Sequence, residues 1–384
     1  MKFDRILHTP EGVRDIYDGE CEKKILLENT LQAKMHLYGF ESIQTPTIEF
    51  FDVFSEERGT FAAKDMYKLF DREGNTLVLR PDITPSIARC VSKYFMPDRS
   101  GNSSSEGDNS NRAGAVRLCY TGNTFINSNE YQGKPKELTQ TGAELIGDAS
   151  AAADAEILAL TVECLLAAGL KEFQVEVGEV GFFRAIVDEA GIGAEDLEEL
   201  MLFINDKNSF GLEDFLGKFG ISSELKKTLV MLPTMFGSVD KLAEFKKLTD
   251  NPAAISAIER LERIYELMKL YGYEKYVSFD LGMLSKFGYY TGIIFNAYTY
   301  GLGDALISGG RYDKLVGQFG KDAPAVGMAV FVDRLLTAVM RQGIEFESKE
   351  AVQVFTAAEN GCEEELKKVI ALRREGRAAR LDVK

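Results

Sequence analysis

The chain holds two histidines, His8 and His36, and five cysteines, Cys21, Cys90, Cys119, Cys164 and Cys362, with no Cys-x-x-Cys among them. Zinc sites draw closely spaced ligands from these two residue types, so the distribution argues against a metal centre. Scattered cysteines also suit a reduced, cytoplasmic protein better than a disulfide framework. No apolar run is long enough to cross a bilayer, and the start, Met-Lys-Phe-Asp-Arg-Ile-Leu-His, lacks the charged-apolar-small pattern of a leader. Positive charge is short as well. Against 60 acidic residues stand 45 Lys and Arg, a net charge of −15, with a pI near 4.9. Gripping phosphate backbones takes clustered Lys and Arg, so the balance argues against nucleic-acid binding as the main task, although a local basic patch fits within an acidic total. No internal repeat is visible.

What is present is ordinary globular composition, 45% hydrophobic and 27% charged. A chain of 384 residues can form two or three domains with a sizeable core in the largest. Leu27, Leu31, Met35 and Tyr38 recur at helical spacing and predict a helix from about Glu20 to Tyr38, closed by Gly39. Phe40 to Thr45 reads as a strand ending at Pro46, and Leu77 to Arg80 as another. A turn at Pro81–Pro85 leads into a helix from Ser86 to about Tyr94. Residues 97–114 lack any large apolar anchor and read as a mobile surface insertion. Strands follow at Ala115–Tyr120, Asn123–Asn127 and Leu138–Ile146, then a helix at Ala152–Ala168 and a strand at Phe173–Val177. Residues 182–271 are almost wholly helical in pattern, an insertion hung on a sheet. Val277–Leu281 and Ala325–Val332 read as further strands, and the tail as one βα unit with a short last strand. The fold class is α+β, an antiparallel sheet flanked by helices.

The most informative stretch runs from Tyr289 to Asp313. Two β-branched and aromatic segments flank a Gly-Leu-Gly-Asp reversal at 301–304, which predicts an antiparallel hairpin. Gly309 and Gly310 mark a close backbone approach or a bend. Tyr289, Tyr290 and Tyr312 taken alone read as sheet packing; their polar tips also suit a small-molecule pocket. Asp82 taken alone is a turn residue before Thr84-Pro85. Glu144, on an otherwise apolar strand, is expensive to bury unpartnered and should face a ligand or an arginine such as Arg311. Arg80 and Arg117 read as sheet-edge charges, and Arg334 as the partner of an acid.

Taken in order, these segments resemble the catalytic core of a class II aminoacyl-tRNA synthetase, and within that class histidyl-tRNA synthetase. The helix ending Tyr38-Gly39-Phe40 and its strand resemble motif 1, the dimer-forming element; Leu79-Arg80-Pro81-Asp82-Ile83-Thr84 resembles the Leu-Arg-Pro-Glu-Gly-Thr loop. Residues 120–147 resemble motif 2 and the following strand, and Ala325 through Arg334 resembles motif 3. Tyr289-Tyr290-Thr291-Gly292 and Gly309-Gly310-Arg311-Tyr312-Asp313 resemble the stretches peculiar to the histidine enzyme. The likeness spans roughly residues 8–340. It divides the chain into a core (1–181 and 272–345), a mainly helical insertion (182–271) and a short tail (346–384) in place of an anticodon-binding domain.

The resemblance implies a largely kept histidine pocket. Asp82, Thr84 and Gln140 would surround the ammonium, Glu144 and Tyr290 would hold the imidazole nitrogens, and Tyr289 and Tyr312 would complete the walls. It also implies a lost ATP site, because adenylation needs arginines to neutralise the triphosphate. The motif 2 Phe-Arg-x-Glu is here Phe125-Ile126-Asn127-Ser128. The histidine-specific catalytic arginine falls on Ser285 beside Lys286, and a motif 3 glycine is Phe331, where the family leaves room for adenine. A synthetase core with its pocket kept, its ATP site lost and its anticodon domain missing resembles the regulatory subunits of two-component ATP phosphoribosyltransferases. The implied role is non-catalytic, needing no cofactor: assembly with a short catalytic subunit for the first step of histidine biosynthesis, feedback regulation by L-histidine, a homodimer within the complex, and no tRNA or membrane partner. A diverged histidyl-tRNA synthetase or a stand-alone histidine-activating ligase is the alternative.

Overall fold

The computed structural model describes residues 6–55, 61–96, 114–127, 135–284, 288–345, 352–358 and 362–383. The expected insertion at 97–114 lies outside the described residues except for Gly114, as do Ser128 and Ser285. The chain divides into two compact units, Met1–Gln342 and Gly343–Lys384.

The first unit begins with helix α1 (Asp18–Leu37), whose buried residues are Leu27, Leu31 and Met35, the stripe that the spacing predicts. Strand β1 (Glu41–Ser42) follows. Three short strands, β2 (Ile48–Phe50), β3 (Lys68–Phe70) and β4 (Thr76–Leu79), make a small antiparallel sheet in the order β2-β4-β3. Helix α2 (Thr84–Tyr94) starts two residues earlier than the sequence suggests. Pro85 belongs to its first turn, where a missing N–H costs nothing, so it opens the helix and does not belong to a preceding turn.

The main sheet has nine strands. They are β1, β5 (Val116–Phe125), β6 (Glu137–Ile146), β7 (Phe173–Glu179), β8 (Phe236–Gly237), β9 (Val277–Asp280), β10 (Ile293–Thr299), β11 (Ile307–Arg311) and β12 (Ala325–Phe331). Their order is β1-β5-β6-β12-β11-β10-β7-β9-β8, antiparallel except for the β1/β5 and β7/β9 pairs. The expected hairpin is β10/β11, with Ile294 opposite Gly310 and Ala297 opposite Ile307. One expectation is corrected: between residues 115 and 127 there is a single strand, Val116–Phe125, not two. Gly122 does not break β5. It lies under the Arg80 guanidinium, which a Cβ at that position would overlap.

Helices α3 (Ala151–Ala167), α4 (Val180–Ala190), α5 (Ala194–Asn205), α6 (Ser209–Leu216), α7 (Ser223–Met231), α8 (Asp240–Phe245), α9 (Pro252–Tyr271) and α10 (Val332–Arg341) complete this unit. Helix α9 shows why the block forms. Asn251 accepts from the Ala253 and Ala254 amides, Pro252 opens the first turn, and Ala254, Ile258, Leu261, Ile264 and Met268 are buried. Residues 182–271 also add β8 to the edge of the sheet, which their helical pattern did not suggest. Helix α3 covers one sheet face, where the Thr161 hydroxyl donates to Met328 Sδ at 3.1 Å. On the other face Ile83, Ile87, Ala88 and Val91 at the start and along the buried side of α2 pack with Leu118, Tyr120, Tyr289 and Tyr312. Among the described residues, no helix is long and apolar enough to cross a membrane.

In the second unit, β13 (Gln353–Ala357) pairs in parallel with β14 (Ala379–Val383), joined through α11 (Glu363–Arg374) with Val369 buried.

Candidate functional site

Strand alternation decides which side chains can meet. Gln140 and Glu144 lie on the same face of β6, where Phe331 pairs with Gln140 and Gly327 with Glu144. One strand further, Gly310 pairs with Gly327. Bare backbone at 310 and 327 leaves space above the sheet; a Cβ at Gly327 would overlap the Glu144 carboxylate, and one at Gly310 would crowd the Tyr290 ring. The turn into α2 brings Asp82 over this floor and the helix's first residue brings Thr84, while the segment before β10 brings Tyr289 and Tyr290. The result is a cavity of about 180 Å³. All seven residues expected of a histidine pocket, Asp82, Thr84, Gln140, Glu144, Tyr289, Tyr290 and Tyr312, line it.

Glu144 is its centre, 1% exposed. The Thr84 hydroxyl donates to its Oε1 at 2.7 Å and the Tyr312 hydroxyl to its Oε2 at 2.5 Å. The sequence leaves Glu144 facing a ligand or an arginine such as Arg311. Arg311 reaches Asp154, and among the described residues no arginine pairs with Glu144. Thr84 and Tyr312 act first as donors that orient this carboxylate. Burial pushes the Glu144 acid up to about 8, aided by the nearby charge of Asp82 and opposed by the two hydroxyl donors. Asp82 is also shifted upward by burial, against hydrogen bonds from the Ile83 and Thr84 amides and the Tyr289 hydroxyl and the charge of Arg80. Tyr289 lies between Tyr290 and Tyr312, with ring centroids 4.7 Å and 6.0 Å away, the latter edge-on. Gln140 Oε1 is buried without a hydrogen-bond partner among the described residues.

The raised Glu144 acid has a measurable consequence. Between the ordinary glutamate value of 4.5 and about 8, the folded chain keeps a proton that the unfolded chain has released. The associated stability is full below the lower value, declines as pH rises, and is gone above the upper one. Denaturant titrations at pH 5 and pH 8.5 should therefore show a smaller loss of stability on going to alkaline pH in Glu144→Gln than in the unaltered chain. Equal losses would mean that the carboxylate is ionised throughout.

Arg311 belongs to the frame around this cavity. It is 3% exposed. Its Nε donates to Asp154 Oδ1 at 2.8 Å and its Nη1 to Asp313 at 3.0 Å and the Asp148 carbonyl at 3.1 Å. Arg260 on α9 reaches the other Asp154 oxygen at 2.6 Å, so one buried carboxylate ties β11, α3 and α9 together. Arg184 on α4 donates to the Tyr290 carbonyl at 2.9 Å.

Ile126 and Phe331, two of the positions where the ATP site is expected to be lost, also line the cavity, with Phe61 and Leu138 as further apolar wall. Arg334 lines it too, contrary to its expected pairing with an acid. Its guanidinium lies 4.3 Å over the Phe331 ring, and Nη1 donates to the Ala305 carbonyl at 2.9 Å. Arg80 is likewise not an edge charge. It is 6% exposed and donates to the carbonyls of Asn123, Thr45 and Pro46. Arg117 pairs with Glu156 and lies over the Phe40 ring. Residues the sequence did not single out include Thr124 and Ser308; only their places on β5 and β11 give a signal, and that needs the register.

A family model described as histidyl-tRNA synthetase matches residues 12–335. The ATP phosphoribosyltransferase regulatory subunit of Ruminiclostridium cellulolyticum is 40% identical over 341 residues, 89% of this chain and 78% of that protein. Its namesake in Acetivibrio thermocellus is 36% identical over 377 residues, 98% of this chain and 87% of that protein. Among solved structures, an ATP phosphoribosyltransferase regulatory subunit/histidyl-tRNA synthetase from Bacillus halodurans C superposes with a TM-score of 0.84 at 30% identity, covering 98% of this chain and 93% of the other. Histidyl-tRNA synthetase from Nostoc sp. PCC 7120, at 20% identity and a TM-score of 0.77 over 98% of this chain and 86% of the other, shares the fold. The chain belongs to the family of ATP phosphoribosyltransferase regulatory subunits, built on a histidyl-tRNA synthetase-like core.

Proposed function

We propose that this chain assembles with a short catalytic ATP phosphoribosyltransferase subunit in the cytoplasm, is required for its activity, and carries the histidine signal without doing chemistry itself. The observation that supports this most is the buried Glu144 carboxylate, aimed into a small cavity and oriented by the Thr84 and Tyr312 hydroxyls. L-Histidine would place its imidazole between Glu144 and Tyr290 and its ammonium toward Asp82 and Gln140. A site that bonds both ring nitrogens rejects analogues lacking them, because its own polar groups go unpaired. Ile126, Phe331 and Leu138 line the cavity where a triphosphate would need several cations, and Arg334, stacked on Phe331, is the one cationic side chain among the described residues that line it. Histidine regulates the assembly to the extent that it binds the active and inhibited states unequally.

In this reading residues 1–181 and 272–345 are the core, 182–271 an insertion, and 346–384 a short βα tail. Two copies would pair through the motif 1-like segment of α1 and β1, and tRNA would not be a partner. The test is reconstitution. Adding the chain to a short catalytic subunit should switch on phosphoribosyl transfer and make it sensitive to histidine, while histidine-dependent ATP–pyrophosphate exchange by the chain alone stays at the blank. Absence of both complex and stimulation would refute the assignment, and exchange above the blank would favour a synthetase or a histidine-activating ligase.

A further inference from the structure

An amino acid is a zwitterion, so a site for it needs a cation for the carboxylate as well as acceptors for the ammonium. The acceptors are at hand in Asp82 and Gln140. Among the described residues lining the cavity, the cation is Arg334. Its guanidinium carries five N–H donors in a planar fork. One donor is given to the Ala305 carbonyl, and the flat face rests on Phe331. Among the described residues, no carboxylate is within ion-pair distance of it; the charge of Asp304 acts on it from further away. Phe331 stands opposite Gln140 in the sheet register, and Gln140 Oε1 is buried with no donor among the described residues. Gln140, opposite Phe331 in the sheet, and Arg334, over the Phe331 ring, therefore both border the cavity beside this one residue, whereas Glu144 pairs with Gly327, four residues back along β12.

We propose that Arg334 binds the α-carboxylate of the amino acid, with Phe331 as the platform that holds the guanidinium in place. The proposal rests on the histidine reading of the cavity and deepens it. It also gives Phe331 a positive role: besides filling space, the ring fixes an arginine that would otherwise be free to turn toward solvent.

An anion at this position could be a carboxylate or a phosphate, and calorimetry with three ligands separates them. L-Histidinol keeps the imidazole and ammonium but has a hydroxymethyl group for the carboxylate. The unaltered chain should bind L-histidine about 10- to 100-fold more tightly than L-histidinol, the range for a hydrogen-bonded charge pair. In Arg334→Gln that preference should collapse to within about threefold through loss of histidine affinity alone, with histidinol binding unchanged. Arg334→Lys should recover part of it, as a point charge without the fork. Should Arg334→Gln fail to fold, an unchanged ratio in Arg334→Lys is enough to overturn the proposal.

A merely structural arginine would lower both affinities together, which also overturns it. So would equal binding of the two compounds by the unaltered chain. Pyrophosphate bound by the chain and lost in Arg334→Gln, with the histidine-to-histidinol ratio intact, would return the arginine to a phosphate. These results leave the histidine site standing. Failure of the unaltered chain to bind either imidazole compound removes both readings.

Discussion

Glu144→Ala is expected to raise the dissociation constant for histidine by about 100-fold or more. Above about pH 8, where Glu144 is ionised, its hydrogen bond to the ligand involves a charged group and contributes about 1.5–3 kcal/mol. Here the substitution also leaves the Thr84 and Tyr312 hydroxyls without their acceptor, at the point where the ligand ring would sit. Binding should therefore fall by more than one lost contact implies. Stability should behave differently. Removing a carboxylate whose burial disfavours its charge relieves a cost at alkaline pH that offsets the two hydroxyls left without an acceptor, so the variant should lose little resistance to denaturant there. Loss of affinity with little loss of stability separates a ligand contact from a structural one. Unchanged calorimetric affinity would place histidine elsewhere, such as at the interface with the catalytic subunit.

The opposite pattern is expected for Asp154→Ala. Asp154 is fully buried between Arg311 and Arg260. Cutting it back strands the Arg311 guanidinium, 3% exposed, with Asp313 and two carbonyls for company. Breaking a buried ion pair from one side typically costs about 3–5 kcal/mol. For a unit of this size that corresponds to a fall of roughly 5–10 °C in melting temperature. Because Arg311 lies in sequence between Gly310 and Tyr312, both of which line the cavity, histidine affinity should fall with stability, and restoring stability with a stabilising co-solvent should restore part of it. A melting temperature within about 1 °C of the unaltered chain would show that the carbonyls and Asp313 suffice for Arg311.

Much of the fold was legible because it rests on local patterns. The Leu27-Leu31-Met35 stripe, the β10/β11 reversal at Gly301–Asp304 and the alternating strands each follow from a few neighbouring residues. The errors have a common origin. Gly122 reads as a break between two strands because its reason for being glycine, the Arg80 side chain, comes from 42 positions earlier. Arg80 reads as a sheet-edge charge and Arg334 as the partner of an acid because nothing nearby in sequence reveals the carbonyls and the ring that hold them. Arg311 seemed a partner for Glu144 because both belong to the pocket motifs, whereas strand alternation sends Arg311 to the opposite side, where Asp154 waits. The seven pocket residues were found through family likeness. Their meeting in one cavity depends on the register of β6, β11 and β12, and pairing between distant strands leaves little trace in any single segment.

The anchoring of Arg80 carries a mechanical implication. Its three carbonyl ligands come from the 45–46 segment after β1 and from β5, and it stands two residues before Asp82. The loop bearing that acid is thus tied by hydrogen bonds to the 45–46 segment, so displacing one strains the other. A neighbouring subunit leaning on residues 45–46 would tug on the amino-acid recess through this tie, with no hinge or lid required.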